Sequence, residues 1–274
     1  MVAENTTEVH GLQVRWLEAG SGPAALLLHG ASLGSSADVF ADNLEDLAAH
    51  GVRAIAVDFP GFGGSDNPKD HSIALRTRFV PAFIDALALG SAGLVGHSQA
   101  GRIAVSLALE RNARISRVVV LGTSSLLPPL PGAAKADAEG AEGGMSEPSL
   151  EETRRALEKD LFDLKALTAD RLHARQRMST GKNFQAFLSR RQARWARTPK
   201  QATPPWRRLG EVQLPLRLLY GRQDRGNAER RVALALELVP GLDLHLIDRC
   251  KHLVMWDAAK EFAALCGPFL AGKS

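Results

Sequence analysis

The sequence predicts an α/β protein built on a doubly wound, mostly parallel sheet that is interrupted once by a helical insertion. Three observations point there. Short apolar runs, such as Ala24–Leu28 and Ile115–Leu121, alternate with stretches of helical spacing. The central runs end in turns rich in Gly, Ser or Asp, as buried parallel strands do before they enter a loop. Strand texture disappears over 123–211 and then returns.

In chain order, 10–19 alternates apolar and polar residues and reads as an antiparallel strand, closed by Gly20-Ser21-Gly22-Pro23. Ala24–Leu28 is a continuous apolar run that empties into His29-Gly30-Ala31-Ser32. Residues 38–50 carry helical spacing through Phe40, Leu44 and Leu47. The stretch 52–58 is a strand leading into the glycine-rich Phe59-Pro60-Gly61-Phe62-Gly63-Gly64-Ser65-Asp66. A helix is expected over 73–89, with a kink at Pro81. Then come a strand at 92–95, a helix at 100–109 and a strand at Ile115–Leu121. The segment 128–148 is rich in Pro, Gly, Ala and Glu and lacks apolar periodicity, which marks a flexible connection. Two or three amphipathic helices follow over 150–195, broken by the prolines near 198–205. A strand at 215–221, a helix at Ala228–Leu238, a strand at 242–247 and a helix at 258–270 complete the chain. The expected division is a core of 1–122 and 212–274 with an insertion at 123–211.

Composition sets bounds on function. The 274 residues, 45% hydrophobic and 23% charged, suit one globular α/β domain with an insertion. No apolar run is long enough to span a bilayer, and the first residues lack a secretory signal, so a cytoplasmic location is expected. Cys250 and Cys266 form neither a disulfide framework nor a metal-ligand spacing. The net charge of +4 is unevenly spread: residues 151–211 hold 11 Arg and four Lys against seven acids. A solvated basic helical face is the plain reading, and attraction of an anionic substrate is the other. No nucleic-acid module accompanies it, so no nucleic-acid partner is expected.

The chemistry gathers at Gly96-His97-Ser98-Gln99-Ala100-Gly101, between a strand and a helix. Small residues there allow a tight turn that pushes the serine hydroxyl outward. A serine needs a base in contact, itself oriented by a third group. Asp224 and His252 follow the next two strands, in the order Ser…Asp…His. Asp248 lies too close to His252 in sequence to take the acid's place. His97 is expected to point away from Ser98, and His29 to shape its loop. Backbone N–H groups of Gln99 and Ala31 are the expected oxyanion donors. No phosphate loop or dinucleotide fingerprint is present, and no cofactor is expected.

These segments, from His29-Gly30 through Asp58-Phe59-Pro60-Gly61-Phe62-Gly63-Gly64-Ser65-Asp66 and the Ser98 turn to Gly221-Arg222-Gln223-Asp224 and His252, resemble the α/β-hydrolase fold family. The resemblance covers nearly the whole core. It implies that the insertion is a lid over Ser98, and that Phe184, Phe187, Leu188 and Trp195 either line the pocket or form the lid's own core. Within the superfamily, the chain is similar to the meta-cleavage product hydrolases, which cut a C–C bond in vinylogous diketo acids. Arg175 resembles their carboxylate-holding lid arginine, and Cys250-Lys251-His252-Leu253-Val254-Met255-Trp256-Asp257 resembles their histidine segment. Those enzymes usually carry Gly-Asn-Ser-Met-Gly-Gly and a tryptophan after the histidine, where this chain has His97, Gln99, Ala100 and Leu253.

The expectation is therefore a serine hydrolase acting on a small-molecule carboxylic ester, apolar and of small to medium size. The alternative is C–C hydrolysis of an anionic dienoate, and a ligand receptor on the same scaffold is the alternative of another class. Ser32, Arg175 and Leu253 are the candidate substrate contacts. No membrane partner is expected, and an oligomer is compatible with the sequence.

Overall fold

Strand pairing follows the alternation of the sequence. The computed structural model describes residues 1–132, 145–196 and 203–273, with no side chains described for 193–196. It contains an eight-stranded sheet in the order β1-β2-β4-β3-β5-β6-β7-β8. The strands are β1 (Ala3–Val9), β2 (Leu12–Ala19), β3 (Ala24–Leu28), β4 (Arg53–Val57), β5 (Ala92–His97), β6 (Ile115–Leu121), β7 (Leu216–Gly221) and β8 (Asp243–Ile247). β1, β2 and β4 pair antiparallel, and every pairing from β4 through β3 to β8 is parallel.

Alternate residues of each central strand feed opposite layers, as the period of two requires. Leu26, Leu28, Leu94, Val118 and Val120 pack on one face with α2 (Ile73–Ala86) and α3 (Gln99–Leu109). Ala25, Leu27, Val95, Val119 and Leu121 pack on the other with α1 (Leu44–Ala49) and, near the C-terminus, residues Phe262, Cys266 and Phe269. Both faces are covered, so these strands carry apolar residues at consecutive positions.

Between β6 and β7 the described elements are helical: α4 (Leu150–Glu158), α5 (Ala169–Arg177), α6 (Lys182–Ala196) and a 3-10 helix at Pro205–Glu211. Local chemistry sets their starts. Ser149 and Glu152 make a reciprocal capping box on α4, and the Thr168 side chain accepts the Arg171 N–H at α5. The chain ends with α7 (Ala228–Leu238), α8 (Val254–Asp257) and α9 (Ala259–Leu270). Among the described residues no helix is long and apolar enough to cross a membrane. Both cysteines are buried free thiols.

Two local readings are corrected, and two elements are new. Ala3–Val9 is a strand that the sequence did not announce, because five of its seven residues are polar and only Val9 is buried. The stretch 38–50 is a 3-10 helix over Ala37–Asn43 followed by the single short helix α1. α2 runs through Pro81 but ends at Ala86, three residues early. The helix expected at 258–270 is α9, and a short separate helix that the sequence did not announce, Val254–Asp257, precedes it. Most of the 128–148 connection and of the proline break near 198–205 lies outside the described residues.

Candidate active site

The sheet order reverses direction beside β3: β4 lies on one side and β5 on the other. Loops leaving β3 and β5 therefore open a crevice at their carboxyl ends, where ligands bind in such sheets. His29-Gly30-Ala31-Ser32 and Ser98 are those two loops. They touch closely: a Cβ built on Gly30 would lie 3.2 Å from Ser98 Cβ.

Ser98 sits at φ 55°, ψ −121°, a conformation unusual for a residue with a side chain. Its N–H donates to Leu121 O at 2.8 Å, and its carbonyl accepts from Thr123 Oγ1 at 2.6 Å. The strand and helix around it nearly collide. A Cβ on Gly96 would come within 2.6 Å of Ala100 O, and one on Gly101 would land on Thr123 Oγ1. Close approach thus demands glycine at 96 and 101, whereas Ala100 fits, buried, in the helix. Among the described residues, neither Ala31 N–H nor Gln99 N–H donates to a protein acceptor.

Asp224 follows β7 and His252 follows β8; both are buried. His252 Nδ1 lies 3.1 Å from Asp224 Oδ2, and Asp224 Oδ1 accepts the Arg225 N–H at 2.7 Å. Gly122, at φ 56° after β6, leaves the space they share, since a Cβ there would lie 3.3 Å from His252 Nδ1. No hydrogen bond joins Ser98 Oγ to His252 among the described contacts. Such bonds commonly close only around substrate. Asp248, the rejected competitor, is paired with Arg222.

Two features that the sequence did not reveal hold the histidine. The carbonyl of Asp160, between α4 and α5, accepts the N–H groups of both His252 and Leu253. The Asp257 carboxylate takes the N–H groups of Phe162, Asp163 and Lys251, tying the same segment to the histidine loop. A backbone acceptor leaves no mark in a sequence.

His97 does not point away. Its ring lies 4.8 Å from that of His252, its Nε2 is 3.1 Å from His252 O, and it lines a small cavity above the crevice. That cavity is bounded by Gly30, Ser35, His97, Asp160 and His252, and by Ser32, Arg175 and Leu253, the three candidate contacts. Arg175 therefore faces inward rather than forming a solvated face. Gly34, at φ 74°, makes room for it, because a Cβ there would crowd Arg175 Cδ at 2.9 Å. Burial lowers the Arg175 pKa to about 10, with Asp160 opposing, so the guanidinium stays charged at neutral pH. Of the insertion's apolar residues, Phe184 is buried and Phe187 and Leu188 are half-buried, and none of the three lines the cavity. The Trp195 side chain lies outside the described residues. Among the described residues no group of three His, Cys, Asp or Glu side chains could hold a metal ion.

His29 is buried at the root of the crevice. Its Nδ1 lies 2.7 Å from Gly30 O, its Nε2 accepts the Phe59 N–H at 3.1 Å, and its ring meets those of Phe59 and Phe62 edge-on. This pattern fits the neutral ring with the proton on Nδ1. Burial pushes its pKa down to about 3, opposed by the Gly30 carbonyl and helped by Arg76, Arg190 and Arg175. Burial also holds His97 well below 6.5, with His252 adding to the effect. Both rings stay neutral in the folded protein but take up protons in the unfolded chain as pH falls below about 6.5. Stability is therefore expected to fall on acidification below that value, on the order of 1 kcal/mol per pH unit per ring. Urea midpoints at pH 7, 6 and 5 check this: His29→Gln should show a shallower slope than wild type, and equal slopes would refute it.

Residues 25–265 match the alpha/beta hydrolase family. The 2-hydroxy-6-oxononadienedioate/2-hydroxy-6-oxononatrienedioate hydrolase of Cupriavidus pinatubonensis is 32% identical over 262 residues, covering 89% of this chain and 86% of that one. The 2-hydroxy-6-oxo-6-phenylhexa-2,4-dienoate hydrolase of Burkholderia cepacia is 29% identical, covering 98% and 95%. Among solved structures, the meta-cleavage product hydrolase of Pseudomonas fluorescens IP01 superposes with a TM-score of 0.78 at 22% identity, covering 98% of each chain. A serine hydrolase of carbazole degradation gives 0.80 at 21%, covering 99% of each. The sheet order, the strained serine between β5 and α3 and these matches together mean that this chain belongs to the α/β-hydrolase family, as a hydrolase of the serine type.

Proposed function

We propose that this enzyme hydrolyses a C–C bond in a 2-hydroxy-6-oxo-dienoate, with Ser98, His252 and Asp224 as its triad and residues 123–211 as its lid. The observation that carries this reading is Arg175, a charged guanidinium in the same cavity as His252, with Ser35 Oγ 3.4 Å from its Nη1. An apolar ester would leave that cation unpaired, whereas a substrate carboxylate satisfies it. Relatives of about 30% identity named for dienoate hydrolysis favour the same choice over the ester expectation.

In this reading Arg175 and Ser32 hold the carboxylate end. The dienol first becomes the keto tautomer, placing a CH2 between C6 and the conjugated system. Ser98 Oγ attacks the C6 carbonyl while His252 takes its proton, and the oxyanion lies against the N–H groups of Ala31 and Gln99. The C5–C6 bond then breaks. Its electrons leave as a dienolate delocalised toward C2, and water hydrolyses the acyl-enzyme on Ser98. Asp224 fixes the His252 tautomer throughout. Leu253 packs beside the dienoate.

The test compares kcat/KM for a chromogenic 2-hydroxy-6-oxo-dienoate with that for a p-nitrophenyl butyrate series. A dienoate value at least about a hundredfold above every ester, roughly 3 kcal/mol of transition-state preference, is expected. Esters turned over equally well or better would return the enzyme to the carboxylesterases.

A further inference from the structure

Both peptide groups that flank Ser98 are tied to the end of β6, but by different means. On one side the Ser98 N–H donates to the Leu121 carbonyl, a main-chain acceptor that any residue at 121 supplies. On the other, the Ser98 carbonyl accepts the Thr123 hydroxyl at 2.6 Å, a bond that needs a hydroxyl at that position. The Gly101 N–H reaches the same oxygen from α3, at a longer 3.2 Å.

That carbonyl belongs to the same peptide group as the Gln99 N–H. The peptide is trans, so its oxygen and its amide hydrogen point in opposite directions within one plane. Holding the oxygen on Thr123 therefore sets the direction of the N–H, which meets no protein acceptor among the described residues. Restraint matters here, because Ser98 stands at φ 55° and ψ −121°, where surroundings rather than local preference keep the backbone. Thr123 is itself buried and held: its carbonyl accepts the Tyr220 hydroxyl at 2.9 Å from β7. Gly101 leaves the room, since a Cβ there would occupy the place of the Thr123 hydroxyl.

We infer that Thr123 is a positioning residue of the oxyanion hole, aiming the Gln99 N–H by holding the carbonyl of the same peptide. The inference rests on Ser98 as nucleophile and on the Gln99 N–H as oxyanion donor; it is independent of which bond the enzyme cuts. Its effect belongs to the transition state. When negative charge forms against the Gln99 N–H, the peptide polarises, its carbonyl becomes more negative and the Thr123 bond strengthens with it. A contact that tightens as the charge develops accelerates attack and leaves ground-state binding alone.

The test measures how fast Ser98 is phosphonylated by an alkyl fluorophosphonate and by its P=S analogue, in wild type, Thr123→Val and Thr123→Ser. Melting temperature is the folding control. In either reagent Ser98 Oγ displaces fluoride from phosphorus, and the phosphoryl oxygen or sulfur takes the place of the oxyanion. Sulfur is larger and accepts hydrogen bonds poorly, so only the P=O reagent draws fully on the Gln99 N–H. Thr123→Val should slow the P=O reagent by about tenfold or more and the P=S reagent much less, so that the ratio of the two rates falls. Thr123→Ser, which keeps the hydroxyl, should hold both rates near wild type. A ratio unchanged in folded Thr123→Val overturns the inference, whether both rates stay or both fall together, because a merely structural threonine would affect the two reagents alike. A Thr123→Ser that loses as much as Thr123→Val overturns it too. Should the valine variant fail to fold, Thr123→Ala decides by the same ratio. A wild type that the P=O reagent does not label at Ser98 strikes the nucleophile itself, and the inference with it, whereas a labelled wild type with an unmoved ratio in the variants strikes the inference alone.

Discussion

Ser98→Ala is expected to lower kcat by about 10⁴-fold or more, with the protein fully folded. The structure gives both halves of that expectation. In the proposed triad, removing Oγ takes away the nucleophile that would form the acyl intermediate with help from the Asp224–His252 pair. The backbone, by contrast, is set by contacts that alanine retains: Ser98 N–H to Leu121 O, and Thr123 Oγ1 to the Ser98 carbonyl. Melting temperatures should therefore agree within a few degrees. Asp224→Asn belongs to the same unit and should cost about 10⁴-fold, because an amide in place of the carboxylate favours the wrong imidazole tautomer. Steady-state turnover of the dienoate, with circular dichroism as the folding control, checks both. Wild-type turnover in Ser98→Ala would remove the serine mechanism altogether.

Much of this architecture is legible in the sequence because it rests on local rules. Strands β3 through β7 announce themselves as largely apolar runs closed by turn residues, β8 as an alternating one, and the Ser98 turn is visible in the small residues that tight packing demands. The glycine at 101 follows from a contact: Thr123 leaves no space for a Cβ there. What stayed hidden depends on tertiary neighbours. The edge strand Ala3–Val9 has polar residues on both faces, so its alternation carries no apolar signal. His97 looked like a bystander, since nothing in the chain says that a carbonyl 155 residues away would receive its Nε2. Asp160 acts through its main chain, which any residue supplies.

Arg175→Gln is expected to lower kcat/KM for the dienoate by about 10²- to 10³-fold, equivalent to roughly 3–4 kcal/mol of lost charge-assisted contact. The loss should fall mainly on KM, because the carboxylate is equally charged in the ground state and through most of the reaction. The surroundings of Arg175 support the proposed role. Its stem emerges from α5, where Ser179 Oγ donates back to its carbonyl at 2.8 Å. Gly34 makes way for its Cδ. Asp160, the acid that shares its cavity, is already bonded to Arg225 at 2.8 Å, which leaves the Arg175 charge available to a ligand. Arg175→Lys should recover only part of the loss, since an ammonium carries the charge but cannot present two parallel N–H groups to a carboxylate. The comparison that decides is the dienoate against p-nitrophenyl butyrate, which has no carboxylate to hold. A fall confined to the dienoate and graded Arg, Lys, Gln identifies a carboxylate clamp. An equal fall on both substrates would mean that Arg175 only supports the His252 loop through the insertion.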